Sequence, residues 1–210
     1  MTLTITLTTR SAVALVSHRV AGREVDLAVD TDEYGLPCWN GSRLHGLLAD
    51  TWSQCGHHFT EFDQVAGRLF PQAGGLGPAK TISLPRRLLL AAEIRDWLLF
   101  AMNREASPMP LHHAQELLLE VRRSTARSRK RRGAPEDHTL RAIPLLRRGL
   151  TFTGQVDCPT DDEGALAGLL SLLCATTRNA ALARHRGHGS VHLAVERDGD
   201  TVVFPTSAGS

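Results

Sequence analysis

No stretch of this 210-residue chain reaches the roughly 18 uncharged apolar residues that a bilayer span needs, so a membrane partner is not expected. MTLTITLTTR at the N-terminus has no positive region followed by an apolar core, which leaves no secretory signal and an expected cytoplasmic location. Cysteine is scarce: there are four, scattered and without a Cys-x-x-Cys pair, which points to reduced thiols rather than a disulfide framework. The glycine-rich QAGGLGPAK lacks the Gly-Lys-Ser/Thr ending of a phosphate-binding Walker loop. What remains, at 42% hydrophobic and 22% charged residues, is ordinary for a globular protein, with enough chain for one large domain or two small ones.

A net charge of +2 conceals one concentration of positive charge. Seven basic residues and no acidic one fall between Arg122 and Arg132. Such a run repels itself unless a polyanion neutralises it. It is either a solvated basic loop or an arm lying along nucleic-acid phosphates, and its position between a helix and the strand-like return at 140–152 suits a projecting hairpin.

The rest of the chain alternates strands and helices. Residues 2–9 alternate Thr with Leu or Ile, which predicts a strand with a threonine face that is solvated or set against a polar ligand. Residues 62–70 read as a short amphipathic helix. Residues 86–103 are apolar enough for a strand, a buried helix, or one after the other. Residues 111–123 predict a helix with Leu117, Leu118 and Val121 inward. Residues 150–156 form a second alternating strand. Asp161, Asp162 and Glu163 open a helix with an apolar stripe at Leu166, Leu169, Leu170 and Leu173. A basic, glycine-rich loop at 184–190 leads into a last strand at 191–195, and such a loop lets backbone N–H groups approach an anion. The order implies an α+β fold with an antiparallel sheet, ferredoxin-like in outline.

The stretch from Val25 to Asp50 organises these elements. Asp32-Glu33-Tyr34-Gly35 supplies a tight turn, with Gly35 free to take positive φ. Asn40, Gly41 and Ser42 cap a helix that puts Leu44, Leu47 and Leu48 on one face. Its N-terminal N–H groups suit either an ordinary cap or a phosphate. Gly46 is costly in a helix, and a close backbone neighbour or a polyanion would explain it. Cys38, Cys55, His57 and His58 are of types that bind zinc, although adjacent histidines rarely share one ion.

In this order the residues resemble the RAMP superfamily of CRISPR-associated proteins, and within it the repeated backbone subunit of type III interference complexes. Gly35-Leu36-Pro37 followed by Gly41-Ser42-Arg43-Leu44-His45-Gly46 is similar to the family's G-x-P…P-G-S-S-L-x-G-x-L-R segment. Residues 63–70 resemble its D-x-(I/V)-x-x-L-F-G element, residues 125–152 its thumb, and residues 186–191 its terminal glycine-rich loop. The chain departs from the pattern at Asn40, His45, Asp50 and Pro71.

The resemblance implies a single RAMP domain over residues 1–210. Its ferredoxin-like, RNA-recognition-motif palm would carry an inserted lid or helical region at 57–110 and a basic thumb hairpin at 122–150. It implies a guide-RNA-binding subunit packed with copies of itself and other type III effector subunits, and paired with complementary target RNA. RNA contacts are then expected at Arg19, at Asn40, Gly41, Ser42, Arg43 and His45, along Arg123, Arg127, Arg129, Lys130, Arg131 and Arg132, and at Arg184, Arg186, Gly187, His188 and Gly189.

Asp26 is the position implied for metal-dependent cleavage of target RNA at displaced nucleotides, as catalytic residue and as ligand to Mg²⁺ or Mn²⁺, with no organic cofactor. An endoribonuclease within a multisubunit complex is one reading. A non-catalytic scaffold or capping subunit of the same complex is another. A standalone guide-processing ribonuclease, with His18 as general base, is a third.

Overall fold

The computed structural model describes residues 2–14, 29–71, 82–124, 141–180 and 189–203. Its strands and helices are β1 Leu3–Thr9, β2 Trp39–Asn40, α1 Gly41–Cys55, α2 Asp63–Leu69, β3 Arg87–Leu90, α3 Ala92–Met102, α4 Leu111–Leu118, β4 Leu119–Ser124, β5 Arg141–Leu146, β6 Thr151–Val156, α5 Glu163–Thr176, β7 Val191–Arg197 and β8 Asp200–Thr201. Six strands form one antiparallel sheet in the order β2-β3-β6-β1-β7-β8, and β4 and β5 pair separately.

Within the sheet, β1, β3, β6 and β7 are the four strands of a ferredoxin-like core, with α1 and α5 as its helices. The threonine alternation of β1 is what fixes its orientation. Leu3, Ile5 and Leu7 are buried, as are Phe152 on β6 and Leu193 and Val195 on β7. These pack in one core with Leu166, Leu169, Leu170 and Leu173 of α5 and Leu44 and Leu48 of α1. A strand's period of two sends Thr4, Thr6 and Thr8 to the opposite face, where they are half-buried. An α+β sheet with helices on one face is therefore present, as expected.

The ambiguous stretch at 86–103 resolves as one element after the other, β3 then α3. The helix expected over 111–123 is corrected. It stops at Leu118, and Leu119 turns extended (φ −115°, ψ 151°) to begin β4. Leu119 pairs with Leu146 and Arg123 with Ala142, so cross-strand hydrogen bonding displaces the last helical turns. Ala114 and Leu118 face inward, whereas Leu117 and Val121, expected inside, are 53% and 55% exposed.

The turn at 32–35 forms as its residue types dictate. The Asp32 carboxylate accepts the backbone N–H groups of Tyr34 (2.9 Å) and Leu36 (3.0 Å), and Gly35 takes φ +80°. Arg95 on α3 holds the turn to the body of the protein. Its guanidinium reaches Asp32 at 3.3 Å and Glu33 at 2.9 Å and lies over the Tyr34 ring at 5.0 Å.

Candidate nucleic-acid interface

The sequence-predicted contacts fall into three groups. At the first corner, Asn40 caps α1 by accepting the Ser42 N–H at 2.9 Å. The Gly41 N–H donates to the Arg86 carbonyl at 2.8 Å. A Cβ on Gly41 would lie 2.0 Å from the Pro85 carbonyl oxygen, so its glycine is required by backbone passing alongside. Arg43 pairs with Asp30 at 3.5 Å. His45 has a ring nitrogen 3.2 Å from the Leu69 carbonyl and stands edge-on to Phe70, which ties α1 to α2. Gly41, Ser42, His45, Ser83 and Arg86 border a hollow of about 430 Å³ beside the exposed Ser42 hydroxyl.

One turn along α1, Gly46 has no internal reason to be glycine. It is exposed, and a Cβ there would meet nothing within 4 Å. Gly46→Ala should therefore stabilise the isolated protein by about 1 kcal/mol through helix propensity, raising Tm by roughly 2–4 °C. If this face lies against RNA, the same substitution weakens RNA binding. A melting temperature that falls instead would show that a neighbour occupies the space.

The second corner is at Gly189, which is buried with φ +84°. Its N–H donates to the Ala12 carbonyl at 2.9 Å, and its carbonyl accepts the Ala180 N–H at 2.7 Å. The next carbonyl, that of Ser190, accepts the N–H groups of Arg10 and Ser11. Arg184, Arg186, Gly187 and His188 lie outside the described residues, as do Arg19, Asp26 and the arm from Arg127 to Arg132.

The third group lies at the root of the β4–β5 stem. Val13 exchanges both backbone hydrogen bonds with Leu146, and Gly149 donates to the Thr9 carbonyl at 2.8 Å. The buried Thr9 hydroxyl donates to the Arg147 carbonyl at 2.8 Å and accepts the Leu150 N–H at 2.9 Å. Residues 9–13 thus join the stem to the Gly189 corner. Arg123 is exposed on β4, which points the stem's positive charge to solvent.

The strand register separates the corners. Asn40 lies opposite Arg87, two residues before Leu89, and Leu89 pairs with Thr153, itself level with Thr6. The first corner is therefore level with Thr4 and the second with Thr9, an offset of about 17 Å along the strands at 3.4 Å per residue, and the two also lie four strand spacings apart across the sheet, from β2 to β7, roughly 19 Å more in that direction. A nucleic-acid strand touching both must cross the sheet diagonally.

Sequence reasoning missed three arginines at the second corner. The Arg10 N–H binds Ser190, the Arg178 carbonyl accepts the Val191 N–H, and Arg148 precedes the Gly149 turn against Thr9. All three side chains are exposed and have no partner among the described residues. Arg10 and Arg148 come to this corner through pairings 180 and 140 positions apart and Arg178 through one 13 positions apart, which no pattern within a single element carries.

For a metal, the donor chemistry of the described residues is unfavourable. No three His, Cys, Asp or Glu side chains among them converge. Burial pushes the Cys38 thiol up to about 11 and raises that of Cys55. His57 and His58 are exposed. Of the acids near Asp26 in sequence, Asp30 pairs with Arg43 and Asp32 with Arg95. No helix among the described residues is long and apolar enough to cross a membrane.

This is an antiparallel, ferredoxin-like palm carrying a two-stranded stem and arginine-flanked backbone corners. No family profile matches the chain, and no curated protein matches it. Solved structures are similar to it over nearly its whole length. A chain of the type III-B Cmr-beta complex in its apo state is 12% identical, covers 94% of this chain and 98% of its own, and superposes with a TM-score of 0.65. A chain of Cmr-beta bound to cognate target RNA is 11% identical over 93% and 97%, with a TM-score of 0.66. A chain of a type IV-B CRISPR complex is 14% identical over 100% and 96%, with a TM-score of 0.58. The protein has the fold of these CRISPR complex subunits, as its RAMP-like motifs led one to expect.

Proposed function

We propose that this protein is a guide-RNA-binding backbone subunit of a type III CRISPR interference complex, packed along the guide beside copies of itself and other effector subunits. The observation that carries this reading is the likeness in fold over 94% of this chain and 98% of a Cmr-beta chain. Supporting it, Arg10, Arg148 and Arg178 are exposed at the second corner with no partner among the described residues, and the basic run that begins at Arg122 starts on the outer part of β4. Phosphates are the partners that such charge seeks.

In the same reading Asp26 is the catalytic carboxylate. Asp30 and Asp32 are each paired with an arginine, so neither takes the place of Asp26 in this role. One carboxylate fits Mg²⁺ or Mn²⁺ only where RNA phosphate oxygens and waters complete the octahedron, so Asp26 would hold the ion at the target strand and not in the protein alone. When bound, the ion supplies charge stabilisation at the phosphate next to a displaced nucleotide. The thumb's part is to splay that nucleotide so that its 2′-hydroxyl lies in line with the phosphate.

Asp26→Ala tests the cutting. In the assembled complex it should abolish target-RNA cleavage and leave guide binding intact. Cleavage at an unchanged rate would remove Asp26 from the chemistry and favour the second reading, a scaffold of the same fold that holds RNA without cutting.

A further inference from the structure

The threonine face of the sheet divides into a closed half and an open half. Toward the second corner its hydroxyls are satisfied: Thr8 and Thr151 share a hydrogen bond at 3.1 Å, and Thr6 donates to Glu196 at 3.1 Å. Toward the first corner they are not. The hydroxyls of Thr4 and Thr153, the Gln155 amide, the Arg87 guanidinium and the Asp96 carboxylate have no partner among the described residues. All five line one hollow of about 400 Å³ between the sheet and the start of α3.

Its size falls in the range of small-ligand sites, roughly 300–1,000 Å³. The lining then restricts the chemistry. Arg87 calls for an anion, and a guanidinium suits a phosphate. Asp96 would repel a second anionic group but accepts from a hydroxyl or amine. Two hydroxyls and an amide between them can both donate and accept, which matches the edge of a base. No aromatic side chain borders the hollow, so bases are not stacked there as on aromatic-bearing RNA-binding sheets.

A ribonucleotide satisfies the whole set: phosphate on Arg87, 2′-hydroxyl on Asp96, and base edge on Gln155, Thr4 and Thr153. Arg86 borders the hollow at the first corner and Arg87, the next residue, borders this one on the other face of the sheet, so an RNA strand reaches from one to the other around the start of β3. We propose that this hollow binds one nucleotide of the single-stranded RNA that leaves the first corner, and that Asp96 selects RNA over DNA there. The inference rests on the RNA-binding reading above and adds a site to it.

The test measures binding of the intact protein to a labelled single-stranded RNA of guide length and to DNA of the same sequence. Arg87 and Gln155 are exposed, so Arg87→Gln and Gln155→Ala should fold, which thermal melting checks. Losing one charged hydrogen bond should weaken RNA binding about tenfold for Arg87→Gln. Asp96→Asn should reduce the preference for RNA over DNA, and 4-thiouridine in the strand should crosslink to residues 87–96 or 153–155. Uridine monophosphate at the same nucleotide concentration should not displace the strand, and displacement would overturn the assignment to a strand. Wild-type affinity and preference in all three variants would overturn the site. If neutralising Arg129–Arg132 weakens binding while Arg87→Gln does not, the site fails and the proposed function stands. A wild-type protein that binds no RNA overturns both.

Discussion

Gly41→Ala should lower the melting temperature by roughly 6–12 °C, the equivalent of about 3 kcal/mol in a domain of this size. The added Cβ would sit 2.0 Å from the Pro85 carbonyl oxygen and 2.8 Å from that of Arg86. Both are backbone atoms and cannot rotate away. The lead into β3 must shift, which stretches the Gly41 N–H bond to Arg86 and disturbs the pairing of Asn40 with Arg87. The comparison with Gly46→Ala is the informative part. The same substitution, five residues along the same helix, should have the opposite sign, because one site is filled by backbone and the other is open. A thermal melt of both variants checks it. If Gly41→Ala melts with the wild type, the first corner is looser than described.

The second large effect is on RNA affinity. Replacing Arg129, Lys130, Arg131 and Arg132 by glutamine removes four charges from the basic run. If each meets one phosphate of a single strand, the slope of log affinity against log salt should flatten by about 3 units. Between 50 and 200 mM salt the variant would then lose roughly fiftyfold less affinity than the wild type. Fluorescence anisotropy across a salt series reads this directly. An unchanged slope would mean that the arm does not lie on phosphate.

Local chemistry made much of the fold legible. The threonine alternation of β1, the Asp32 turn with its positive-φ Gly35, and the leucine stripe of α5 each depend on residues within one element, and each forms as its pattern implies. The failures share one cause. Leu117, Leu118, Leu119 and Val121 suit a helix or a strand equally, and the deciding contact is with residues 141–146. Gly41 reads as an anion cradle from its neighbours, whereas its tightest constraint comes from Pro85, 44 positions away. Arg10, Arg148 and Arg178 look unrelated in the chain and meet only through sheet pairing. The candidate site was thus half visible: its corners are motifs, but their diagonal separation across the sheet and the arginines around the second are consequences of strand order and register.

If this palm holds a guide strand within an assembly, as proposed, both should come away with it. The direct measurement is to tag the protein in its own cell, purify it under mild salt, and sequence the RNA and identify the polypeptides that accompany it. The account predicts repeat-and-spacer RNA of uniform length together with sister effector subunits and further copies of this chain. A protein recovered alone and free of RNA, from cells that are expressing such guides, would contradict it.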